Sequence, residues 1–78
     1  MNNNQKKLFN IANRIEKLMY KNGVKEFIKI MSYSYCVIDL KNVTLNHWFI
    51  ESLTEITKKF NTNFDILYYN EGMKLKIY

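Results

Sequence analysis

Few residues in this sequence have the chemistry of a catalytic centre. Cys36 and His47 are its one cysteine and one histidine, and together they could supply a thiolate nucleophile and its general base. Cys36, however, lies in the apolar run YCVI, where a cysteine usually packs as a small buried hydrophobic side chain. We therefore expect no catalytic pair and no enzymatic activity.

Metal and acid–base sites are no better supported. One cysteine and one histidine fall short of the four ligands of a structural zinc site. Asp39, Glu51 and Glu55 could approach one another, but the two glutamates lie four residues apart on a helix face that is otherwise solvated. Two glycines are too few for a glycine-rich phosphate-binding loop. The sequence predicts no metal and no other cofactor.

The chain is basic, which favours acidic partners. Twelve Lys or Arg residues against seven Asp or Glu residues give a formal net charge of +5. Eleven of the twelve cations are lysine, which neutralises phosphates but lacks the planar fork with which arginine reads guanine. We therefore expect any binding of nucleic acid to be weakly sequence-specific.

Four of the cations line up along the first predicted helix, QKKLFNIANRIEKLMYKNG. Their spacings of seven, three and four residues place them on one side of a helix over about 20 Å: Lys7, Arg14, Lys17 and Lys21. Such a stripe can meet a row of phosphates. It is more often the solvated outer side of a helix packed on a sheet; we favour that interpretation and keep a nucleic-acid surface as the alternative.

Tyrosine is the second candidate contact type, since it anchors protein interfaces and stacks on unpaired bases. The predicted strands are rich in it. If helices cover one face of the sheet, we expect the other face to expose tyrosines beside two lysines and to bind a partner through Tyr33, Tyr35, Tyr68, Tyr69, Lys74 and Lys76.

Two long amphipathic helices position these residues. Apolar side chains recur every three or four residues in the first helix (Leu8, Ile11, Ala12, Ile15, Leu18, Met19) and in the second (Leu45, Trp48, Phe49, Leu53, Ile56, Phe60). We expect Asn3 or Asn4 to cap the first helix, Asn22 and Gly23 to end it, and Thr44 to cap the second. Trp48 and Phe49 are both predicted to lie in the core.

The remaining segments predict strands. SYSYCVIDL is expected to form a central strand buried on both sides or nearly so, and NFDILYYNEGMKLKIY a β-hairpin that turns at Asn70 to Gly72. The segment VKEFIKIM is ambiguous, and we favour a helix for residues 24–31. As a strand it would place Lys25, Phe27, Lys29 and Met31 on one mixed face.

These elements predict a single small α+β domain over residues 1–78. Two main helices pack on one face of a small antiparallel sheet of three strands, or of four if residues 24–31 form a strand. A lone cysteine excludes an intramolecular disulfide, and the first residues lack the apolar core of a secretion signal, so we expect a cytoplasmic location. No apolar run approaches the ~20 residues that span a membrane.

We predict a small non-enzymatic interaction protein that binds and occludes a protein or nucleoprotein complex through its Tyr and Lys side chains. The Lys-, Asn-, Tyr- and Ile-rich usage suggests A+T-rich coding, as in a phage or mobile element that inhibits a host or defence complex. The alternative is direct binding of nucleic acid.

A homodimer is expected as well, because so small a core cannot hide this much apolar surface. The final strand MKLKIY would pair with its twin, unless Lys74 and Lys76 guard that edge in favour of a foreign partner.

Overall fold

The order of one helix followed by two strands occurs twice along the chain. The structure is a computed structural model that describes residues 2–41 and 47–78. Its elements are α1 (Asn3–Lys21), β1 (Phe27–Met31), β2 (Cys36–Lys41), α2 (His47–Lys59), β3 (Phe64–Tyr69) and β4 (Gly72–Ile77). The strands form one antiparallel sheet in the order β1-β2-β4-β3. The predicted α+β fold is confirmed, with the sheet in its four-stranded form.

Helix α1 begins one or two residues earlier than expected. The side chain of Asn2 accepts a hydrogen bond from the Gln5 amide at 2.8 Å, and the Gln5 side chain accepts one from the Asn2 amide at 3.0 Å. This reciprocal pair satisfies two amides of the first turn, so the predicted cap at Asn3 or Asn4 is wrong. The predicted end is confirmed, because Asn22 caps the helix and Gly23 follows with a φ of +81°.

The preference for a helix over residues 24–31 is wrong, because residues 27–31 form the edge strand β1. A helix this short is marginal by itself, whereas β1 pairs along its whole length with β2. Its mixed face is the one described for the strand alternative. Lys29 points toward the helices, where its Nζ lies 2.7 Å from the Glu16 carboxylate and 5.6 Å from the centre of the Phe9 ring.

The core lies between the helices and one face of the sheet. Alternate residues of the two central strands supply the sheet side of it, and both helices supply the other: Leu8, Ile11, Ala12, Ile15, Met19, Cys36, Ile38, Leu40, Phe49, Leu53, Met73, Leu75 and Ile77. Strand β2 is central as predicted but is buried on one side only, since Val37 and Asp39 on its other face are half-buried. No described element packs on that second face.

Helix α2 buries Phe49, Leu53 and Thr57, which are spaced four residues apart on one side. The predicted core position of Trp48 is wrong: its side chain is 44% exposed, against 4% for Phe49. Consecutive helical residues differ by about 100° in direction, so Trp48 lies at the margin of the buried stripe. The predicted cap Thr44 and the predicted core residue Leu45 lie outside the described residues.

The predicted hairpin is confirmed, with β3 and β4 joined at Asn70 and Glu71. Strand β4 is not an edge, however, because β2 and β3 pair with it on either side. The predicted pairing of MKLKIY with its twin is therefore wrong, and Lys74 and Lys76 guard no edge. Neither described helix has the length and apolar composition needed to cross a membrane.

Candidate interaction surfaces

The predicted tyrosines do not share one face of the sheet. Tyr33 and Tyr35 lie in the turn between β1 and β2, outside both strands. Tyr68 and Tyr69 are neighbours in β3, so their side chains point to opposite sides of the sheet. Tyr68 pairs with buried Met73 and is on the helix side, where it is nonetheless exposed. Of the two β3 tyrosines, Tyr69 is the one on the side away from the helices.

The side of the sheet away from the helices forms what we call the uncovered face. Strand register places on it Ile28, Ile30, Val37, Asp39, Lys41, Asp65, Leu67, Tyr69, Lys74 and Lys76. Three of its apolar side chains lie on the edge strands and are more than half exposed: Ile28, Ile30 and Leu67. Lys74 and Lys76 of β4 lie between the apolar side chains of these two edge strands. Such a face offers both apolar and polar contacts to a partner.

Two tyrosine hydroxyls hold the carboxylates of the uncovered face. Tyr69 on β3 donates a hydrogen bond to Asp39 on β2, reaching across β4 beside Gly72, which has no side chain in the way. This hydrogen bond raises the pKa of Tyr69 from 10.0 to about 12. A hydrogen bond to Asp65 likewise raises the pKa of Tyr78.

The two predicted lysines of the uncovered face differ in their surroundings. The Nζ of Lys76 lies 5.1 Å from the centre of the Tyr35 ring and 5.6 Å from that of Tyr78, within the range of cation–π attraction. Lys74 has no hydrogen bond, ion pair or ring contact with any residue that the structure describes. Lys74 is therefore available to an acidic group of a partner.

Helix α1 carries most of the net charge of the protein. It has five cations and one acid, so that +4 of the formal +5 belongs to this helix. The acid, Glu16, is bound to Lys29 on the β1 side. The basic face of α1 consists of the four predicted residues Lys7, Arg14, Lys17 and Lys21, of which Lys7 is half-buried and the other three are exposed. The structure thus leaves the predicted stripe facing solvent.

A shallow groove of about 340 Å³ opens on this basic face. It is lined by Asn10, Asn13, Arg14 and Lys17 of α1 and by Phe60, which follows α2. The guanidinium carbon of Arg14 lies 4.9 Å from the centre of the Phe60 ring. Sequence reasoning singled out Arg14 and Lys17 but placed Phe60 in the core. The helical period puts Asn10 and Asn13 on the polar side of α1, and only this position could have indicated from the sequence that they line a surface site.

The candidate nucleophile lies inside the core. Cys36 is fully buried, and burial raises the pKa of its thiol from 9.0 to about 11, so the thiol is protonated at neutral pH. His47 is exposed in the first turn of α2, with its Nε2 2.8 Å from the Glu51 carboxylate. Within residues 2–41 and 47–78 no cluster of His, Cys, Asp or Glu side chains could hold a metal ion.

Comparison with known proteins gives no relative from which a role could be transferred. No protein-family model matches the chain, and searches of curated proteins and of solved structures find no match either. Function is therefore inferred from the surfaces described above.

Proposed function

We propose that the protein is a non-enzymatic interaction protein that docks on a nucleoprotein complex and occludes part of it. The observation that carries this proposal is the separation of its two surfaces. The basic face of α1 and the uncovered face lie on opposite sides of the molecule, because α1 packs on the other side of the sheet. One side suits phosphates and the other suits a protein surface.

The two surfaces call for different partner chemistry. A helix face bearing +4 releases counterions when it meets phosphates, so its contribution falls steeply with salt. The uncovered face instead exposes Ile28, Ile30 and Leu67, whose burial against a partner is driven by the hydrophobic effect and resists salt. A complex of protein with nucleic acid presents both kinds of surface together.

Affinity capture from the source cell, with and without nuclease, tests this proposal. Charge reversal by Lys17→Glu and Lys21→Glu should release nucleic acid from the captured material, as nuclease does. Leu67→Lys, in the uncovered face, should release the protein component. Lys58→Glu with Lys59→Glu makes the same charge change at exposed positions of α2 and should release neither. Capture of the same components by all four proteins would contradict the proposal.

Direct binding of nucleic acid by α1 alone is the second candidate function. The observation in its favour is that the polar side chains of the groove are unpaired: among the described residues, Asn10, Asn13 and Lys17 have no hydrogen bond or ion pair, and Arg14 contacts only a ring. The purified protein should then retard DNA or RNA at low salt. Replacing Arg14, Lys17 and Lys21 with Glu should abolish this, and no retardation by the unmodified protein would contradict it.

Two narrower predictions concern origin and assembly. An origin in a phage or mobile element, with a host or defence complex as the target, stays a prediction from composition. The homodimer also stays a prediction, now with the uncovered face rather than β4 as its contact. Light scattering during size-exclusion chromatography checks it, because a monomer has a mass of 9.5 kDa and a dimer twice that.

A further inference from the structure

We infer that the groove on the basic face of α1 binds one unpaired nucleotide of a single-stranded nucleic acid. The inference rests on the proposed contact between α1 and nucleic acid, and adds to it which form of nucleic acid is bound and where. At about 340 Å³ the groove lies at the lower end of the range for ligand sites, the size of a single nucleotide rather than of a duplex.

Arg14 and Phe60 provide a surface for stacking a base. Phe60 is half-buried and packs against the core, so its ring is held in place. The Arg14 guanidinium lies over that ring at 4.9 Å and is attracted to it by a cation–π interaction. Arg14 itself is exposed, which leaves its outer surface open. Proteins that recognise single strands stack unpaired bases on arginine planes and aromatic rings.

The rest of the lining supplies hydrogen bonds and charge. The carboxamides of Asn10 and Asn13 each offer donors and an acceptor, the combination presented by the edge of a base. The ammonium group of Lys17, one helical turn after Asn13, suits a phosphate. Among the residues that the structure describes, no acidic one lines the groove. An anionic ligand with a planar polar ring therefore fits it better than a peptide or an apolar molecule does.

A duplex cannot use these features, because its bases are stacked on one another and only its phosphates reach the groove. A duplex would therefore be bound by charge alone. Replacing Arg14 with Lys separates the two cases: it keeps the charge and removes the planar group that stacks. Lys21→Met is the matched variant, since it removes a charge from the same helix face outside the groove.

Fluorescence anisotropy at low salt tests the inference with four labelled probes: a ten-nucleotide RNA strand, the same DNA strand, the corresponding DNA duplex and an abasic DNA strand. Arg14→Lys should weaken binding of both base-bearing single strands about fivefold or more and leave the duplex and the abasic strand unchanged. Lys21→Met should weaken all four alike. Thermal unfolding should show that both variants remain folded, because both residues are exposed.

The possible failures are distinguishable. If the protein binds duplex, abasic and base-bearing strands equally and Arg14→Lys changes none of them, the groove does not bind a base, although α1 still binds nucleic acid. If no probe binds at low salt, the contact between α1 and nucleic acid is itself refuted, and the groove proposal falls with it.

Discussion

Replacing Gly72 with alanine should destabilise the fold, because the added Cβ atom has no room beside strand β2. A Cβ atom at position 72 would overlap the backbone oxygen of Leu40 and lie 3.0 Å from both the Leu40 carbonyl carbon and the Cα of Lys41. All three atoms belong to the β2 backbone, so no flexible side chain can move aside. Strands β2 and β4 would have to separate at this end of the ladder.

The cost follows from the size of that separation. Non-bonded carbon atoms sit about 3.5–4.0 Å apart, so the two contacts at 3.0 Å alone require a shift of about 0.5–1 Å, and the overlap with the Leu40 oxygen requires a larger one. Overpacking of this kind costs about 1–3 kcal/mol, and each ladder hydrogen bond that is weakened adds up to about 1 kcal/mol. The expected loss is at least about 2–4 kcal/mol, a large part of the roughly 4–12 kcal/mol that stabilises a domain of this length.

The other glycine provides a matched control. Gly23 has a φ of +81°, but a Cβ atom there would meet nothing within 4 Å. Gly23→Ala should therefore cost only the left-handed backbone penalty of about 1–2 kcal/mol. Gly23→Asn should recover much of that loss, because asparagine tolerates this conformation better. Asparagine at position 72 should not be tolerated, since the obstacle there is space rather than backbone conformation.

Urea and thermal unfolding, followed by circular dichroism, measure both effects. In a domain of this size, 1 kcal/mol corresponds to about 4–8 °C in Tm, so Gly72→Ala should lower Tm by roughly 10 °C or more. A Gly72→Ala protein that melts at or above the Tm of Gly23→Ala would refute the reasoning, because β4 would then not approach the β2 backbone as closely as described.

Three further predictions concern side chains whose surroundings the structure defines. Phe49→Ala should lower the free energy of unfolding, measured in urea, by about 3–5 kcal/mol. Trp48→Ala should lower it by less than about 2 kcal/mol, because nearly half of the indole is exposed. A larger loss for Trp48→Ala would contradict the exposed position of Trp48. Cys36 should react with a thiol reagent at pH 8 far more slowly in the native protein than in urea, because its side chain is fully buried and burial raises its pKa from 9.0 to about 11; equal rates would contradict it. Asp39→Asn should return the pKa of Tyr69 from about 12 toward 10.0 in an ultraviolet titration, because the hydrogen bond to the carboxylate holds the phenolic proton.

The raised pKa of Tyr69 also fixes the direction of a pH effect. The folded protein holds the phenolic proton more tightly than the unfolded chain, so this contribution to stability is complete below pH 10 and is lost as pH rises toward 12. Asp65→Asn is the control, since it removes the partner of Tyr78 and leaves Tyr69 bonded to Asp39. The assigned hydrogen bond would be contradicted if Asp39→Asn left the pKa of Tyr69 unchanged, or if Asp65→Asn lowered that pKa by the same amount.

Features that depend on neighbours along the chain could be predicted from the amino-acid sequence. The buried stripe and the basic face of α1 were predicted from spacing, and its end at Asn22 and Gly23 and the turn between β3 and β4 from local residue types. Each depends on residues a few positions apart, whose relative directions are set by the helical or strand period alone. For the same reason the two-layer α+β arrangement followed from the order of the elements.

Which side of each helix or strand is buried, and by what, depends on packing between elements that are distant in the sequence. Residues 27–31 form a strand because β2 is there to pair with them, and Trp48 is exposed because the core accepts Phe49 instead. The groove combines Arg14 with Phe60, which are far apart in the sequence and meet where α1 lies beside α2. The helical or strand period determines which side chains share a face. Whether that face is buried, hydrogen-bonded or exposed depends on the other elements that pack against it, which the period does not predict.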